Sequence, residues 1–295
     1  MDYFLQMIVS GVMTGTVYSM MALAIVVVYK ASGIFNFAHG SLVAFTAFLL
    51  WQLVVPWNTP LVMAVPLYLI VISLLAFLLQ RLILQPFIGQ SLFAALMVTI
   101  ALSDVFVGIT VMFWPGPGRV FPDVIPSTTF QLGPAIISFQ SLIIFAVCIF
   151  CFGAFFLFFK KTKLGLQMRG TAEDQVLAQS EGIRVQLIFA ASWIIAIILA
   201  AVGGTLMSSL YGVSLEPLHG LGLKSLAVLI LGGLESVHGS LVAGLIVGVC
   251  EALSAGYIDP YVGGGFGDVA PFIILITILI IRPHGLFGYE RIRRV

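Results

Sequence analysis

Four ionisable residues lie in or near long apolar stretches of the sequence: Asp104, Lys224, Glu235 and Glu251. A charge within the hydrocarbon of a bilayer costs several kcal/mol, so such a residue faces a bundle interior, a partner or a wet path. Asp104 follows Ser103 and comes about one helical turn after Thr99. A carboxylate and two hydroxyls so close together could guide a polar substrate, and we predict this role for the three residues. The alternative for Asp104 is a structural pair with a neighbouring helix.

The six-residue sequence His-Gly-Ser-Leu-Val-Ala occurs twice, at 39–44 and 238–243, and each copy opens an apolar stretch. Broken helices that begin in this way are typical pathway elements of transporters, because their first amides are unpaired. Asn36 and His39 therefore complete the candidate substrate pathway. The alternative is close helix packing, as expected for Gly11-xxx-Gly15 and Gly244-xxx-Gly248, with the histidines at interfaces or in loops.

Catalytic and nucleotide-binding motifs are absent from the sequence, which lacks G-x-x-x-x-G-K-[ST], G-x-S-x-G and H-E-x-x-H. The chain is therefore not predicted to hydrolyse ATP, and we predict no catalytic residue, cofactor or metal. Glu235-Ser-Val-His238 supplies one acid and one histidine, an incomplete ligand set for a membrane metalloprotease. The three cysteines lie in apolar stretches and are predicted to be buried thiols.

The composition is that of a membrane protein: 61% of the 295 residues are apolar and 8% are charged. Soluble globular domains have about a quarter charged residues. A helix needs about 20 apolar residues to span a bilayer, and candidate spans occur near 4–28, 37–55, 61–80, 92–113, 135–159, 186–210, 218–234, 239–257 and 268–282, of which the last is short. The sequence thus predicts an all-α fold, a polytopic transmembrane helical bundle that forms a single domain over residues 1–295. The formal charge of +1 gives no support for nucleic-acid binding.

The basic residues are distributed unevenly between the two sides of the predicted spans. With nine spans and residues 160–184 in the cytoplasm, eleven of the 13 Lys and Arg residues fall inside and only Arg119 falls outside. Because cytoplasmic loops are enriched in basic residues, the amino terminus is predicted outside and the carboxyl terminus inside. The stretch 218–234, which contains Lys224, could instead turn back within the membrane. The bundle would then have eight spans and an external Arg-rich tail.

The segment 160–184 concentrates eight charged residues between two apolar stretches. Thr171 is predicted to cap a helix of about ten residues, with Glu173 and Asp174 in its first turn and Gly182 after its end. At helical spacing, one face would carry Ala172, Val176, Ser180 and Ile183, with Leu177 beside them. Such a short helix suits a groove in a partner protein. The alternative is a solvated loop that only fixes orientation.

Several motifs occur in a characteristic order along nearly the whole chain. The first are Gly11-xxx-Gly15-xx-Tyr18 and the more specific Asn36-Phe37-Ala38-His39-Gly40. Those in the charged loop are Arg169, Ala172, Glu173-Asp174, Ala178 and Gly182-Ile183. Those near the carboxyl end are 210–213, Lys224, 231–233, Gly239 and 282–288. This order resembles the permease subunits of branched-chain amino-acid ABC transporters, the hydrophobic amino-acid uptake class.

The resemblance implies a multi-pass permease subunit in the cell (inner) membrane that imports branched-chain or related small amino acids. Its implied partners are a second homologous permease, two ATP-binding subunits, a periplasmic or extracellular solute-binding protein, and membrane lipid. Because the partners would hydrolyse ATP, the chain itself would not be an enzyme. Departures from the family pattern at 46–48, 170–171 and Glu235 leave urea or short amides as alternative substrates. The alternative class is a stand-alone secondary carrier.

The resemblance also implies that 160–184 is a cytoplasmic loop that couples the permease to the ATPase. The candidate coupling residues are Arg169, Ala172, Glu173, Asp174, Val176, Leu177, Gly182 and Ile183.

Overall fold

The computed structural model describes residues 2–87, 90–121, 128–132 and 135–288. The helices are α1 (Asp2–Ser32), α2 (His39–Val54), α3 (Leu61–Leu78), α4 (Leu92–Phe113), α5 (Phe139–Lys161), α6 (Lys163–Glu173), α7 (Gln175–Ser180), α8 (Val185–Tyr211), α9 (Leu215–Gly232), α10 (Val237–Tyr257), α11 (Asp259–Val262) and α12 (Phe266–Ile281). A π-helical turn, Leu79–Leu84, and a 3₁₀ turn, Gln85–Phe87, continue α3. The strands β1 (Thr129–Leu132) and β2 (Ala135–Ser138) form an antiparallel hairpin before α5.

Each of the nine predicted apolar stretches is helical over most of its length. Within the described part of the chain, seven helices are long and apolar enough to cross a membrane, while α2 and α12 are shorter. These two have 16 residues each, and at 1.5 Å per residue they reach about 24 Å, less than the ~30 Å hydrocarbon core. The all-helical polytopic bundle is therefore confirmed.

The chain divides into two compact units, one of which comprises Val27–Asp123 and Cys151–Gly222. This unit is built around α2, which packs against α3, α4 and α8. Eleven of the 16 residues of α2 are buried. A helix that is apolar on all sides stays in a protein interior, and α2 thus forms the core of this unit.

The other unit comprises the described residues of Met1–Val26, Val124–Phe150 and Leu223–Val295. In it, α10 packs against α12 and crosses α1 at two pairs of glycines. A Cβ on Gly248 would lie 2.4 Å from the Cα of Gly15, and a Cβ on Gly15 would lie 2.7 Å from the carbonyl oxygen of Gly244. The predicted close approach of these two small-residue patterns is therefore confirmed.

The sequence prediction is wrong in two short segments. The span expected from residue 135 begins as strand β2, and its helix begins only at Phe139. Short runs such as Ala-Ile-Ile do not distinguish a strand from a helix, and here the pairing with β1 decides. The stretch Asp259–Val262, which lies between the predicted spans 239–257 and 268–282, forms one helical turn rather than an irregular loop.

Candidate functional site

The charged segment after α5 is anchored to that helix by Arg169. The Arg169 guanidinium donates a hydrogen bond to the carbonyl oxygen of Phe159 and lies 5.4 Å from the centre of the Phe159 ring. Thr162 caps α6 by accepting a hydrogen bond from the Gly165 amide at 3.0 Å. A Cβ on Gly165 would lie 2.5 Å from the same Phe159 carbonyl oxygen, so the tight turn requires glycine. Arg169, a predicted coupling residue, therefore fixes α6 against the end of α5.

Asp174 separates α6 from α7. Its backbone is extended, with φ −151° and ψ 112°, and its carboxylate accepts hydrogen bonds from the amides of Val176 and Leu177 at 2.8 and 2.9 Å. The predicted N-cap at Thr171 is wrong, since Thr171 is buried within α6. Asp and Thr are both favourable N-cap residues, and the charge of the Asp174 carboxylate is in addition favoured by the positive helix end. The helix that follows has six residues rather than about ten.

A small apolar cluster holds α7 in place. Ala178 and Ile183 pack there with Ala31, Val185 and Phe189. Gly182, with φ +82°, lies just after the helix as predicted. The Ile183 amide donates to the Ala178 carbonyl at 3.0 Å and closes this turn. Ile183 thus faces inward, away from the partner-facing stripe on which the sequence pattern placed it.

Val176 and Leu177 form the exposed apolar end of α7, with 78% and 60% of their surface accessible. Glu173 and Asp174 are also exposed, and Ala172 is half-buried. Val176 and Leu177 thus place two large apolar side chains side by side at the surface. Of the predicted stripe, Val176, Leu177 and Ser180 are exposed, with the acids beside them, whereas Ile183 is partly buried.

Thr99 and Ser103 lie on the same buried face of α4. The Thr99 hydroxyl lies 3.1 Å from the carbonyl oxygen of Phe35, in the loop between α1 and α2, and 2.9 Å from that of Leu96. The Ser103 hydroxyl lies 3.5 Å from Nε2 of His219 in α9. The structure therefore brings two predicted pathway residues together and adds His219 to them.

Asn36 and His39 lie next to this face, and each is only 2% exposed. The His39 amide donates to the Asn36 carbonyl at 3.3 Å. Asn36 Oδ1 and His39 Nε2 have no hydrogen-bond partner within the described residues. A buried polar atom without a partner costs about 1–3 kcal/mol, so both atoms are suited to bind a water molecule or a polar group of a substrate.

Asp104 faces away from this cluster. Its side chain is exposed, as are those of Ile100 and Val105, whereas Ser103 is buried. An exposed carboxylate near the middle of a membrane helix is unfavourable in lipid. This face of α4 is therefore suited to contact water or another subunit. The structure thus separates Asp104 from the two hydroxyls with which it was grouped.

Lys224 and Glu251 form an ion pair in the unit that contains α10 and α12. Lys224 Nζ lies 2.6 Å from Glu251 Oε1 and 2.8 Å from Asp268 Oδ1. The Tyr18 hydroxyl donates to the same Glu251 oxygen at 3.1 Å. The Lys224 and Glu251 side chains are 14% and 17% exposed. Glu251 therefore belongs to a polar network that joins α1, α9, α10 and α12.

Comparison with known proteins places this arrangement in one family. Residues 7–281 match the family model described as branched-chain amino acid transport system, permease component. The chain belongs to this family. It is 30% identical over 308 residues to the high-affinity branched-chain amino acid transport system permease protein BraD of Pseudomonas aeruginosa, which covers 99% of this chain and 98% of the relative. LivH of Escherichia coli is 28% identical with the same coverage. A probable LivH of Methanocaldococcus jannaschii is 27% identical over 286 residues, 92% of this chain and 88% of that relative.

The family named from the sequence motifs is therefore confirmed, and its relatives are named as permease proteins of a transport system. The apolar helices of this chain agree with a multi-pass protein.

Sequence reasoning missed two polar residues of the permease, His219 and Asp268, and it recognised Tyr18 only as part of a motif, without its contact. The contact of His219 is with a residue 116 positions away, and that of Tyr18 is with one 233 positions away. No local pattern reveals contacts at such separations. The rule that intramembrane charges pair with each other could have joined Lys224 to Glu251, since both were recognised singly.

Proposed function

We propose that the permease imports branched-chain or related small amino acids as a subunit of an ABC importer. The observation that carries this proposal is the match, over nearly the full length, to relatives named for high-affinity branched-chain amino acid transport. The substrate would arrive on an external solute-binding protein. Partner subunits would hydrolyse ATP.

The proposed assembly contains this chain, a second homologous permease, two ATP-binding subunits and the solute-binding protein. Two exposed features support it. The face of α4 around Asp104 is suited to a second permease rather than to lipid. The Val176 and Leu177 patch on α7 is suited to an ATP-binding subunit.

The loop 160–184 would act as the coupling element within a single permease domain. A push on α7 would reach α1 and α8 through Ala178 and Ile183. It would reach α5 through α6 and the Arg169 contact with Phe159. The inner ends of three membrane helices would thus move with the ATP-binding subunit.

We propose nine crossings, with the amino terminus outside. Nine apolar helices within the described residues and the basic residues of the predicted inner loops support this topology. In a background without native cysteines, a membrane-impermeant maleimide should label Tyr261→Cys in intact cells and should not label Ser180→Cys. Protection of Tyr261→Cys would favour the eight-span alternative, because α10 would then run in the opposite direction.

The substrate pathway would include Asn36, His39, Thr99 and Ser103, with Asp104 on the neighbouring face of α4. Asn36 Oδ1 and His39 Nε2 in the buried cluster support this assignment, since neither has a hydrogen-bond partner in the part of the chain that the structure describes. Asp104→Asn keeps the side-chain shape and removes the charge, and it should alter uptake kinetics while the complex stays assembled. Unchanged kinetics would make Asp104 a structural residue.

Reconstitution tests the proposed function most simply. Proteoliposomes are prepared with the permease, its co-encoded second permease and the ATP-binding subunits, and the solute-binding protein is added outside. They should accumulate leucine, isoleucine or valine only when ATP is present in the lumen, where the ATP-binding subunits lie. Uptake of urea or a short amide without amino-acid uptake would select the alternative substrate class. Gradient-driven uptake by the permease alone would select the stand-alone carrier.

A further inference from the structure

A pocket of about 570 Å³ lies where the π-helical end of α3 meets the start of α8. Its polar lining consists of Gln80, Arg81, Gln85, Gln179, Arg184 and Gln186. The π-helical turn contributes Gln80 and Arg81. Turns of this kind insert an extra residue into a helix and are frequent at functional sites.

The polar lining is built of hydrogen-bond donors and positive charge. Both charged residues of the described lining are arginines, and neither makes an ion pair within the part of the chain that the structure describes. Gln80 is 2% exposed, and its side-chain NH₂ group has no acceptor among the described residues. Guanidinium and amide N–H groups together match the oxygens of a phosphate.

The rest of the lining is mostly apolar, and apart from Gly182 and Ile183 it belongs to the membrane helices. Phe77 lies in α3, and Leu187 and Ala190 lie in the first turns of α8. The pocket therefore joins a polar part, at the ends of two spans, to an apolar part within them. A soluble anion would contact only the polar part of the pocket, whereas a phospholipid would contact the polar part with its headgroup and the apolar part with an acyl chain.

We propose that this pocket binds the phosphate headgroup of an anionic phospholipid, with the start of an acyl chain against Phe77 and Leu187. Basic pockets between membrane helices near the cytoplasmic surface are suited to such headgroups. In the proposed topology the pocket lies in the inner leaflet. Since Gln179 and Arg184 flank the end of α7, a bound lipid would brace the coupling segment from the membrane side.

Native mass spectrometry of the full-length permease, purified with phosphatidylglycerol or phosphatidylcholine, tests this proposal without any transport assay. Wild type should retain phosphatidylglycerol in preference to phosphatidylcholine. Arg81→Gln/Arg184→Gln should bind phosphatidylglycerol at least about tenfold more weakly, because each basic residue near an anionic surface contributes a factor of about five. Gln80→Leu, which removes the buried amide at similar volume, should weaken retention by a smaller factor. The control Lys161→Gln/Lys163→Gln removes two exposed charges outside the pocket and should retain the lipid.

Four results would overturn the proposal. Retention could be unchanged in Arg81→Gln/Arg184→Gln, or it could fall equally in the lysine control, which would indicate only general surface charge. Inorganic phosphate could displace phosphatidylglycerol at similar concentration, which would identify a soluble anion as the ligand. Finally, Arg81→Gln/Arg184→Gln could keep its lipid but fail to co-purify with the ATP-binding subunit. The pocket would then be a contact site for that protein.

Discussion

The two copies of His-Gly-Ser-Leu-Val-Ala have the same backbone contacts in different surroundings. In both, the glycine packs against α9: a Cβ on Gly40 would lie 2.4 Å from the His219 carbonyl oxygen, and one on Gly239 would lie 2.1 Å from that of Gly232. In both, the serine hydroxyl donates to the carbonyl three residues earlier, at 2.9 Å in the first copy and 2.8 Å in the second.

The histidines distinguish the two copies. His39 is buried, and its Nε2 has no partner among the described residues, whereas His238 is exposed. The valines differ in the same way, since Val43 is buried and Val242 is 37% exposed. The shared sequence therefore encodes a shared helix contact. Chemistry depends on what surrounds the histidine, and only the first copy offers a buried polar site.

The largest loss of stability is expected on substitution of Lys224, which lies in α9 between the residues that contact Gly40 and Gly239. Lys224→Met should destabilise the permease by about 3 kcal/mol, because it leaves the partly buried Glu251 carboxylate without its cationic partner. Lys224→Met/Glu251→Leu should recover most of this loss. The measurement is the midpoint of thermal aggregation in detergent. If Lys224→Met leaves the midpoint unchanged, the network does not fix α9, and glycine packing alone must do so.

Gly40→Ala and Gly239→Ala should both be destabilised, each by about 1–3 kcal/mol, because a methyl group at either site meets backbone. Gly153→Ala is the matched control, since a Cβ there has nothing within 4 Å, and it should be neutral or slightly stabilising. The midpoint of thermal aggregation again measures the effect. A loss in one copy only would show that the two glycine contacts are not equivalent.

Substitution of His39 and of His238 should have unequal effects on stability and transport. His39→Gln alters a buried polar group. It should lower the free energy of unfolding by about 1–3 kcal/mol, or raise the activation free energy of transport by a similar amount. His238→Gln should change stability by no more than about 0.5 kcal/mol, as is usual for exposed sites. Thermal midpoints and initial uptake rates of the two variants, compared at equal membrane content, measure this difference. Equal effects would contradict the distinction between the copies.

Much of the architecture could be predicted because long apolar runs leave few options for a chain in a membrane. The core helix was expected at 37–55 and is found at His39–Val54. Helix boundaries were harder to predict where two nearby residues could each cap the helix. Asp174 caps α7 because an extended residue there frees its carboxylate to reach two amides, and a hydroxyl at Thr171 offered an equally plausible pattern.

The sites were less predictable than the spans because their partners are distant in sequence. Lys224 and Glu251 were recognised as functional or structural charges, but their pairing depends on helix packing across 27 residues. Likewise, Thr99 and Ser103 were chosen for their chemistry. Which face of α4 is buried, and hence that Asp104 is exposed while both hydroxyls are buried, depends on the rotation of α4 in the bundle.

The most direct test of the account is the ATPase activity of the reconstituted importer with a Val176→Ser/Leu177→Ser permease. Both side chains are exposed, so the variant should fold and insert normally. Loss of a central apolar contact should lower the stimulation of ATP hydrolysis by substrate-loaded binding protein at least about tenfold. Val120→Ser, at an 84% exposed valine outside the coupling segment, should keep wild-type stimulation. Full stimulation in the Val176→Ser/Leu177→Ser complex would contradict the proposed coupling role of α7.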